Sequence, residues 1–522
     1  MQVKLHILCT SDVHGNLLPI HYGTNEKVNT GLATYATAVK QARKKYDHVI
    51  VLDNGDLIQG TPLMTHYVNE YSEQKNPMIN VMNQIGIDAS VIGNHEFNYG
   101  MKVLSDAVEQ SHFPWLSANI LNEQTKQPLF GQPYIVKKFP NGLTIAIVGV
   151  TTHYIPHWEQ SEHIEGIQFL DAFSTLQSWV NQIHMKEQPD VLIASYHGGF
   201  ECDLKTGEPT EQITGENQAY KMCEEIKGID ILLTGHQHRQ LTEVLHDVLV
   251  VQPGHHAQMY GKVDIELQKE NGEWVMTNKS AELLTLEGVE PDPVIIREME
   301  SLEQSTQQWL DEPIGHIKGD MSISDPFLAR TSKHAFIQFI HQVQMDASGV
   351  DISVTSLLNN DTKGFGSTVT MRDVESNFMF PNTLIVLELT GKDIKLALEK
   401  SAEYFIVNKK NEITVNPAFM YPKPQHYNYD MWEGINYMIH VANEPGSRIK
   451  QVFYHGELLE HDQKYSVALN NYRASGGGNY DMFKHKPVVK EIQQNTTELI
   501  CAYFKKHPIV KAETTKNFIV TL

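Results

Sequence analysis

The first half of the chain repeats one unit, a short aliphatic or β-branched run followed by turn residues and a helical stretch. This alternation constrains the fold more than any other feature. The runs fall at residues 3–9, 48–52, 89–92, 143–150, 191–195, 229–233 and 248–251. Strands alternating with helices select a layered α/β architecture. Several runs are continuously apolar, as central strands covered on both faces must be. An α/β sandwich is therefore expected to about residue 285.

Beyond it, Asp292 offers a helix N-cap, Pro293 a first-turn proline and Pro313 a stop, while Ile295, Met299, Leu302 and Trp309 share one side at helical spacing. This helix is expected to join two domains. Further on, apolar runs at 384–389 and 437–441 alternate with a helical stretch at 393–404, as in a second α/β or α+β domain. The expected boundaries are 1–290, a linker helix at 291–313, and 314–522.

Charge and cysteine usage exclude several function classes. With 42 Lys plus Arg against 63 Asp plus Glu, the net charge of -21 opposes binding of long nucleic acid. A single nucleotide in a locally positive pocket is compatible with it. Cys9, Cys202, Cys223 and Cys501 form no Cys-x-x-Cys pair, so neither a disulfide framework nor a thiolate zinc site is indicated. No stretch approaches the roughly 20 apolar residues of a membrane span. Residues 1–10 lack a leader's apolar core, so the expected address is cytoplasmic as the chain stands, or exported if a leader has been removed.

The polar residues of interest follow the apolar runs. Asp12 and His14 come after the first as Ser-Asp-Val-His-Gly-Asn, Asp56 after the second as Asn-Gly-Asp, and Asn94 and His95 after the third as Gly-Asn-His-Glu. His197 follows the run ending at Ser195, and His236 and His238 follow that ending at Leu233 as Gly-His-Gln-His. In open α/β sheets ligands gather at the carboxyl ends of strands. Carboxylate, imidazole and amide oxygen without thiolate suit a pair of divalent ions such as Mn, Zn, Fe or Co better than a structural zinc. Two ions about 3.5–4 Å apart need a bridging ligand, for which a carboxylate is the natural choice. Asp56, alone on its loop, is the expected bridge. In Asp12-x-His14 and His236-x-His238 an extended backbone is expected to bring both side chains to one side.

Together these segments resemble the signature blocks of the calcineurin-like metallophosphoesterases. Asn428-Tyr429-Asp430 and Tyr472-Arg473-Ala474-Ser475-Gly476-Gly477-Gly478-Asn479 narrow the resemblance to the 5'-nucleotidase family. Asn-Gly-Asp-Leu-Ile-Gln-Gly at 54–60 and Gly-Asn-His-Glu-Phe-Asn-Tyr-Gly at 93–100 are most similar to its bacterial 2',3'-cyclic-nucleotide 2'-phosphodiesterase/3'-nucleotidase branch. The resemblance implies a four-layer α/β/β/α catalytic sandwich, a linker helix and an α/β substrate-binding domain. It implies two divalent metal ions, Mn, Zn or similar, one held by Asp12, His14, Asp56 and His238, the other by Asp56, Asn94, His197 and His236. His95 maps onto the catalytic histidine. Relatives of the 5'-nucleotidase type carry an aspartate three residues later, where this chain has Asn98, so His95 is expected to be a weaker general acid unless another carboxylate, such as Glu96, assists it.

Small nucleotides are the implied substrates, a 5'-nucleotidase or nucleotide-sugar hydrolase being the alternative activity. No membrane partner is expected, and the protein is expected to be a monomer or dimer. Tyr429 and Tyr472 map onto the family's base-stacking rings, although a tyrosine is equally at home in a core. Gly476 and Gly477 belong to a ligand loop or a plain turn, and Arg330, Arg372 and Arg473 are candidate phosphate or ribose contacts. His153, His157, His255 and His256 are assigned loop or supporting roles.

Overall fold

The computed structural model describes residues 1–157, 159–210, 213–378, 382–421 and 424–522. The chain divides into two units, Met1–Gln307 and Gln308–Leu522.

In the first unit, the sheet running Glu273–Thr285, Met259–Glu270, Gln2–Thr10, Val49–Asp53, Ala89–Val91, Trp115–Leu116 faces a second one. The second runs Gln240–Leu245, Val248–Pro253, Ile231–Thr234, Val191–His197, Thr144–Thr151, Tyr134–Lys138. The two-residue period of a strand explains why several of the runs are continuously apolar. Val3, Leu5, Ile7, Cys9, Ile50 and Leu52 point between the sheets, where they meet Ile145, Ile147, Ile193 and Leu233. The intervening Leu8 and Val51 point outward to the helices Leu32–Lys45, Pro62–Glu70 and Pro77–Ile85. On the second sheet, Ala146, Val148, Leu192 and Leu232 point outward to Ala172–Lys186 and Ala219–Glu225. The result is the four-layer α/β/β/α sandwich, in which burying each Leu or Ile contributes about 1.5–3 kcal/mol.

Helix starts are encoded locally. Thr61 accepts from Met64 N, Asn76 from Met78 N and Ile79 N, and Asp171 from Ser174 N, with Pro62 and Pro77 opening their helices. Pro293–Leu310 is helical, and Asp292 Oδ1 accepts from Val294 N at 2.9 Å. Ile295 and Met299 join the first unit's core, and the division between the units falls inside this helix.

The second unit is built on a mixed sheet ordered Met431–Glu433, Ile352–Thr355, Lys464–Asn470, Thr383–Thr390, Val488–Asn495. Against it lie Ala335–Ser348 and Gly391–Ala402. Capping boxes at Thr370/Asp373, Thr390/Asp393 and Asn495/Glu498 start three of its helices. Among the described residues no helix is long and apolar enough to cross a membrane.

Candidate metal and phosphoester site

Parallel pairing of Gln2–Thr10 with Val49–Asp53, and of Val191–His197 with Thr144–Thr151 and Ile231–Thr234, aligns carboxyl ends along one edge of each sheet. The loops beyond keep pairing. Asp12 N donates to Gly55 O at 2.9 Å, His14 N to Asp56 O at 2.8 Å and Gly15 N to Leu57 O at 2.8 Å.

The backbone of these loops is not the extended one expected. Asp12, His14, Asp56, His236 and His238 have φ of 54°, 50°, 55°, 65° and 57°. The two His- and Asp-bearing pairs therefore converge through left-handed turns. Each such residue costs about 1–2 kcal/mol, which persists only where the surroundings over-determine the conformation. Gly93 is part of that determination, because a Cβ there would lie 2.3 Å from Asp56 Oδ1 and 2.4 Å from Asp56 N.

Two donor groups result, Asp12/His14/His238 and Asp56/His197/His236, each with its ligand atoms within 4.8 Å of one another. In the first, His238 Nε2 is 3.0 Å from His14 Nε2 and 3.4 Å from Asp12 Oδ1. In the second, His197 Nε2 is 3.1 Å from Asp56 Oδ2 and 3.1 Å from Asn94 Oδ1, which stands 2.9 Å from His236 Nδ1. Asp56 Oδ2 is also 3.9 Å from His14 Nε2, so this carboxylate lies between the groups. The rear nitrogens are occupied: His14 Nδ1 is 3.3 Å from Gln59 O, His197 Nδ1 donates to Asn54 O at 2.7 Å, and His236 Nε2 is 2.9 Å from Glu216 Oε1. Asn54, which opens the Asn-Gly-Asp motif, and Glu216 are thus supporting residues, Glu216 lying on a loop without a strand-end motif. His255 stacks on His238 at 4.8 Å, and His256 N donates to Asp12 O at 2.8 Å.

Charge follows geometry. Burial alone would raise the Asp12 carboxyl, but the hydrogen bond and charge of His238 hold it below the usual carboxylate range. Burial is likewise outweighed at Asp56, which His197, His95 and His14 hold well below that range. Burial pushes His14 down to about 3, keeping its ring neutral. At His197 burial is overcome by Asp56, which raises the ring to about 10. Two buried carboxylates, a neutral imidazole and facing Nε2 atoms that cannot all carry protons form a donor set that fits hard or borderline divalent cations.

His95 N donates to Asp56 Oδ1 at 2.7 Å, and its ring lies 5.1 Å from that of His14. Its Nδ1 is 2.6 Å from Asn98 Oδ1. Glu96 does not assist this ring. Its buried carboxylate accepts from Gly93 N, Asp56 N, Leu57 N and Ile58 N, tying the two loops together.

In the second unit the two sequence blocks do meet, through an ion pair of Arg473 Nε with Asp430 Oδ2 at 2.8 Å. Three substrate contacts expected there are corrected by their packing. Tyr429 is fully buried, stacked on Tyr404 at 5.0 Å and 26°, with its hydroxyl donating to Arg330 O at 3.1 Å. It is a core residue. Arg330 is spent on Pro326 O, Leu357 O, Asn359 O and Asn360 Oδ1, and Arg473 on Asp430 and Tyr427 O, both side chains being buried. Arg372 pairs with Asp311 at 2.8 Å. Tyr472 is half-buried, and its partner ring is Tyr427, 6.3 Å away at 76°. A Cβ at Gly477 would lie 2.6 Å from the Tyr472 ring, so glycine lets that ring rest on the loop. Gly476 (φ 92°) turns the chain just before it.

Comparison with known proteins agrees with this architecture. Residues 5–240 match the family model for calcineurin-like phosphoesterases, and residues 313–485 that for the 5'-nucleotidase C-terminal domain. The chain is 27% identical to a 2',3'-cyclic-nucleotide 2'-phosphodiesterase/3'-nucleotidase of Yersinia enterocolitica over 91% of this chain and 81% of that protein. It is 24% identical to the trifunctional nucleotide phosphoesterase YfkN of Bacillus subtilis over 99% of this chain, spanning 39% of that longer protein. A Staphylococcus aureus protein provisionally assigned as a 5'-nucleotidase, solved in complex with alpha-ketoglutarate, superposes with a TM-score of 0.90 at 36% identity, covering 99% of this chain and 100% of that one. The chain belongs to the 5'-nucleotidase family of calcineurin-like metallophosphoesterases.

Proposed function

We propose that this protein hydrolyses small nucleotide phosphoesters with two divalent cations, manganese or zinc, opening 2',3'-cyclic nucleotides to 3'-nucleotides and then removing the 3'-phosphate. The observation that carries the reading is Asp56, whose Oδ2 stands 3.1 Å from His197 and 3.9 Å from His14 and so is shared by both donor groups. Asp12, His14, Asp56 and His238 would hold one cation, and Asp56, Asn94, His197 and His236 the other. Bound there, the cations supply Lewis-acid polarisation of the phosphoryl oxygens and acidify the attacking water.

The chain's own residues do the rest. Asp56 fixes His95 through the backbone N–H, and the His95 ring meets the departing ribose oxygen and protonates it. Beside the donor groups, His255 stacks on His238 and packs edge-on to His256, which in turn lies edge-on to His14. Tyr472, with Tyr427 beside it, offers a ring to the base, and stacking tolerates every base because each has a π face. Asn98, where 5'-nucleotidase relatives carry aspartate, favours the cyclic and 3' substrates.

The test is turnover of 2',3'-cyclic AMP, 3'-AMP and 5'-AMP after reconstitution with Mn or Zn, with Asp56→Asn as control. Hydrolysis of the first two, lost by about 10³-fold or more in the variant, supports the proposal. Preference for 5'-AMP moves the protein to the 5'-nucleotidase reading, and turnover surviving in Asp56→Asn refutes the shared carboxylate.

A further inference from the structure

His95 is oriented by an amide, and what lies behind that amide decides how. Asn98 Oδ1 is 2.6 Å from His95 Nδ1, and Asn98 Nδ2 donates to Glu159 Oε2 at 2.6 Å. Glu159 is enclosed, its side chain 4% exposed. Its Oε1 accepts from Gln160 N at 2.9 Å and lies 2.9 Å from His163 Nδ1. A chain of side chains, His95 to Asn98 to Glu159 to His163, thus leads away from the site, with its carboxylate one residue further out than a His–Asp pair would have it.

An amide can face its neighbours either way round, and its partners choose. An ionised carboxylate only accepts, so Glu159 must take the Asn98 NH₂ group. Asn98 Oδ1 is thereby turned to His95, and an acceptor there requires hydrogen on Nδ1. Nε2 is left facing the substrate, where it takes up the second proton and delivers it to the leaving oxygen, the neutral Nδ1–H ring being what remains. Flipped, Asn98 would donate to Nδ1 and move the proton of the neutral ring to Nε2. We propose that Glu159 is a positioning residue for His95. Acting through Asn98, it fixes the Nδ1–H tautomer and the ring's orientation, as a carboxylate at position 98 would do directly. The proposal rests on the reading of His95 as the group that meets the leaving oxygen. The sequence separation of 61 between Asn98 and Glu159 hides the pairing from the sequence.

Two measurements test it. The first needs no activity: ¹⁵N spectra of histidine-labelled, metal-free protein, with His95 identified by its loss in His95→Gln. The neutral wild-type ring is expected as Nδ1–H, and Glu159→Gln, whose amide can donate to Asn98 Oδ1, is expected to populate Nε2–H. A wild-type Nε2–H ring, or a tautomer indifferent to Glu159→Gln, overturns the proposal even if the protein hydrolyses no nucleotide.

The second is a double-variant cycle of kcat on 3'-AMP, with melting temperature and metal content as checks on folding. Glu159→Gln is expected to lower kcat about tenfold with KM within about twofold. Asn98→Asp sets two carboxylates together and lowers kcat similarly. In the Glu159→Gln background the same Asn98→Asp change, now a His–Asp pair, is expected to raise kcat about tenfold. Bis(4-nitrophenyl) phosphate, whose leaving group needs little protonation, is expected to change by less than about threefold throughout. Additive losses, equal on both substrates, would assign Glu159 a merely structural role and refute the proposal.

Discussion

Replacing Glu96 by glutamine changes one oxygen to an amide nitrogen, yet every partner of that carboxylate is a donor. Oε1 accepts from Leu57 N at 2.6 Å and Ile58 N at 3.2 Å, and Oε2 from Asp56 N at 2.8 Å and Gly93 N at 2.6 Å. Whichever end receives the NH₂ group, two backbone donors lose their acceptor and face another donor, at a residue with 0% exposure. Hydrogen bonds to a charged group contribute about 1.5–3 kcal/mol each, so the loss is about 3–6 kcal/mol. Part is offset, because burial and the charge of Asp56 raise the Glu96 pKa and glutamine removes that cost. A net loss of about 3 kcal/mol, or a melting temperature lower by about 6 °C, is expected. Displacing the Asp56 loop should also weaken Mn binding by about 10–100-fold. Calorimetric titration with Mn and thermal melts measure both. Glu96→Ala is the informative control, since the vacated space admits water that can satisfy the four N–H groups, so alanine should be no worse than glutamine. Glutamine melting within about 1 °C of wild type, with Mn affinity within about twofold, would show that the loops hold themselves and that this reasoning is wrong.

Tyr429→Phe should cost about 1 kcal/mol of stability through the lost bond to Arg330 O and leave KM for 3'-AMP unchanged. Tyr472→Ala should raise KM about tenfold with kcat retained, and equal KM effects at the two positions would contradict the buried and half-buried assignments. Arg473→Met should lower stability by about 3–5 kcal/mol by stranding the Asp430 charge, and Asp430→Asn in the same chain should recover part of it, as read from chemical denaturation. Burial pushes the Asp53 carboxyl up to about 7, so the folded state keeps a proton that the unfolded chain releases near pH 4. That contribution is fully present below about pH 4 and is lost as pH rises through about 7, so the urea midpoint should fall between pH 5 and 8 and Asp53→Asn should flatten the fall. An unchanged slope in the variant would refute it.

The sheets were legible in the sequence because the physics that buries them is local. A run such as residues 49–52 is apolar throughout only if both faces are covered, and Ile50 and Val51 do face different layers. The grouping of the candidate donors was legible for a related reason, since a parallel strand must end at the sheet's edge and whatever follows lies there. Long-range packing was not legible. Tyr427 and Tyr429 alternate in one short stretch, and only the ring of Tyr404 decides which is core. Arg330 and Arg473 saturate carbonyls and a carboxylate in the fold, and an arginine bound for such a place reads the same as one bound for phosphate.

The geometry of the donor loops is the instructive case, because residues expected to share one side of an extended backbone are brought together by a different conformation. Asp12 and His14 meet across left-handed residues rather than along a strand, and so do His236 and His238. A left-handed aspartate or histidine is unfavourable by itself, so the sequence of such a loop cannot hold its shape alone. The shape is imposed from outside by the bonds from Asp12 N and His14 N to the neighbouring loop, by the Glu96 carboxylate beneath Asp56, and by the missing Cβ of Gly93. These constraints come from separate strand ends, the loops after residues 10, 53 and 91, so the site exists only once the sheets have formed. The candidate donor residues are therefore visible as local motifs, and the strain that aims them is visible only in the fold.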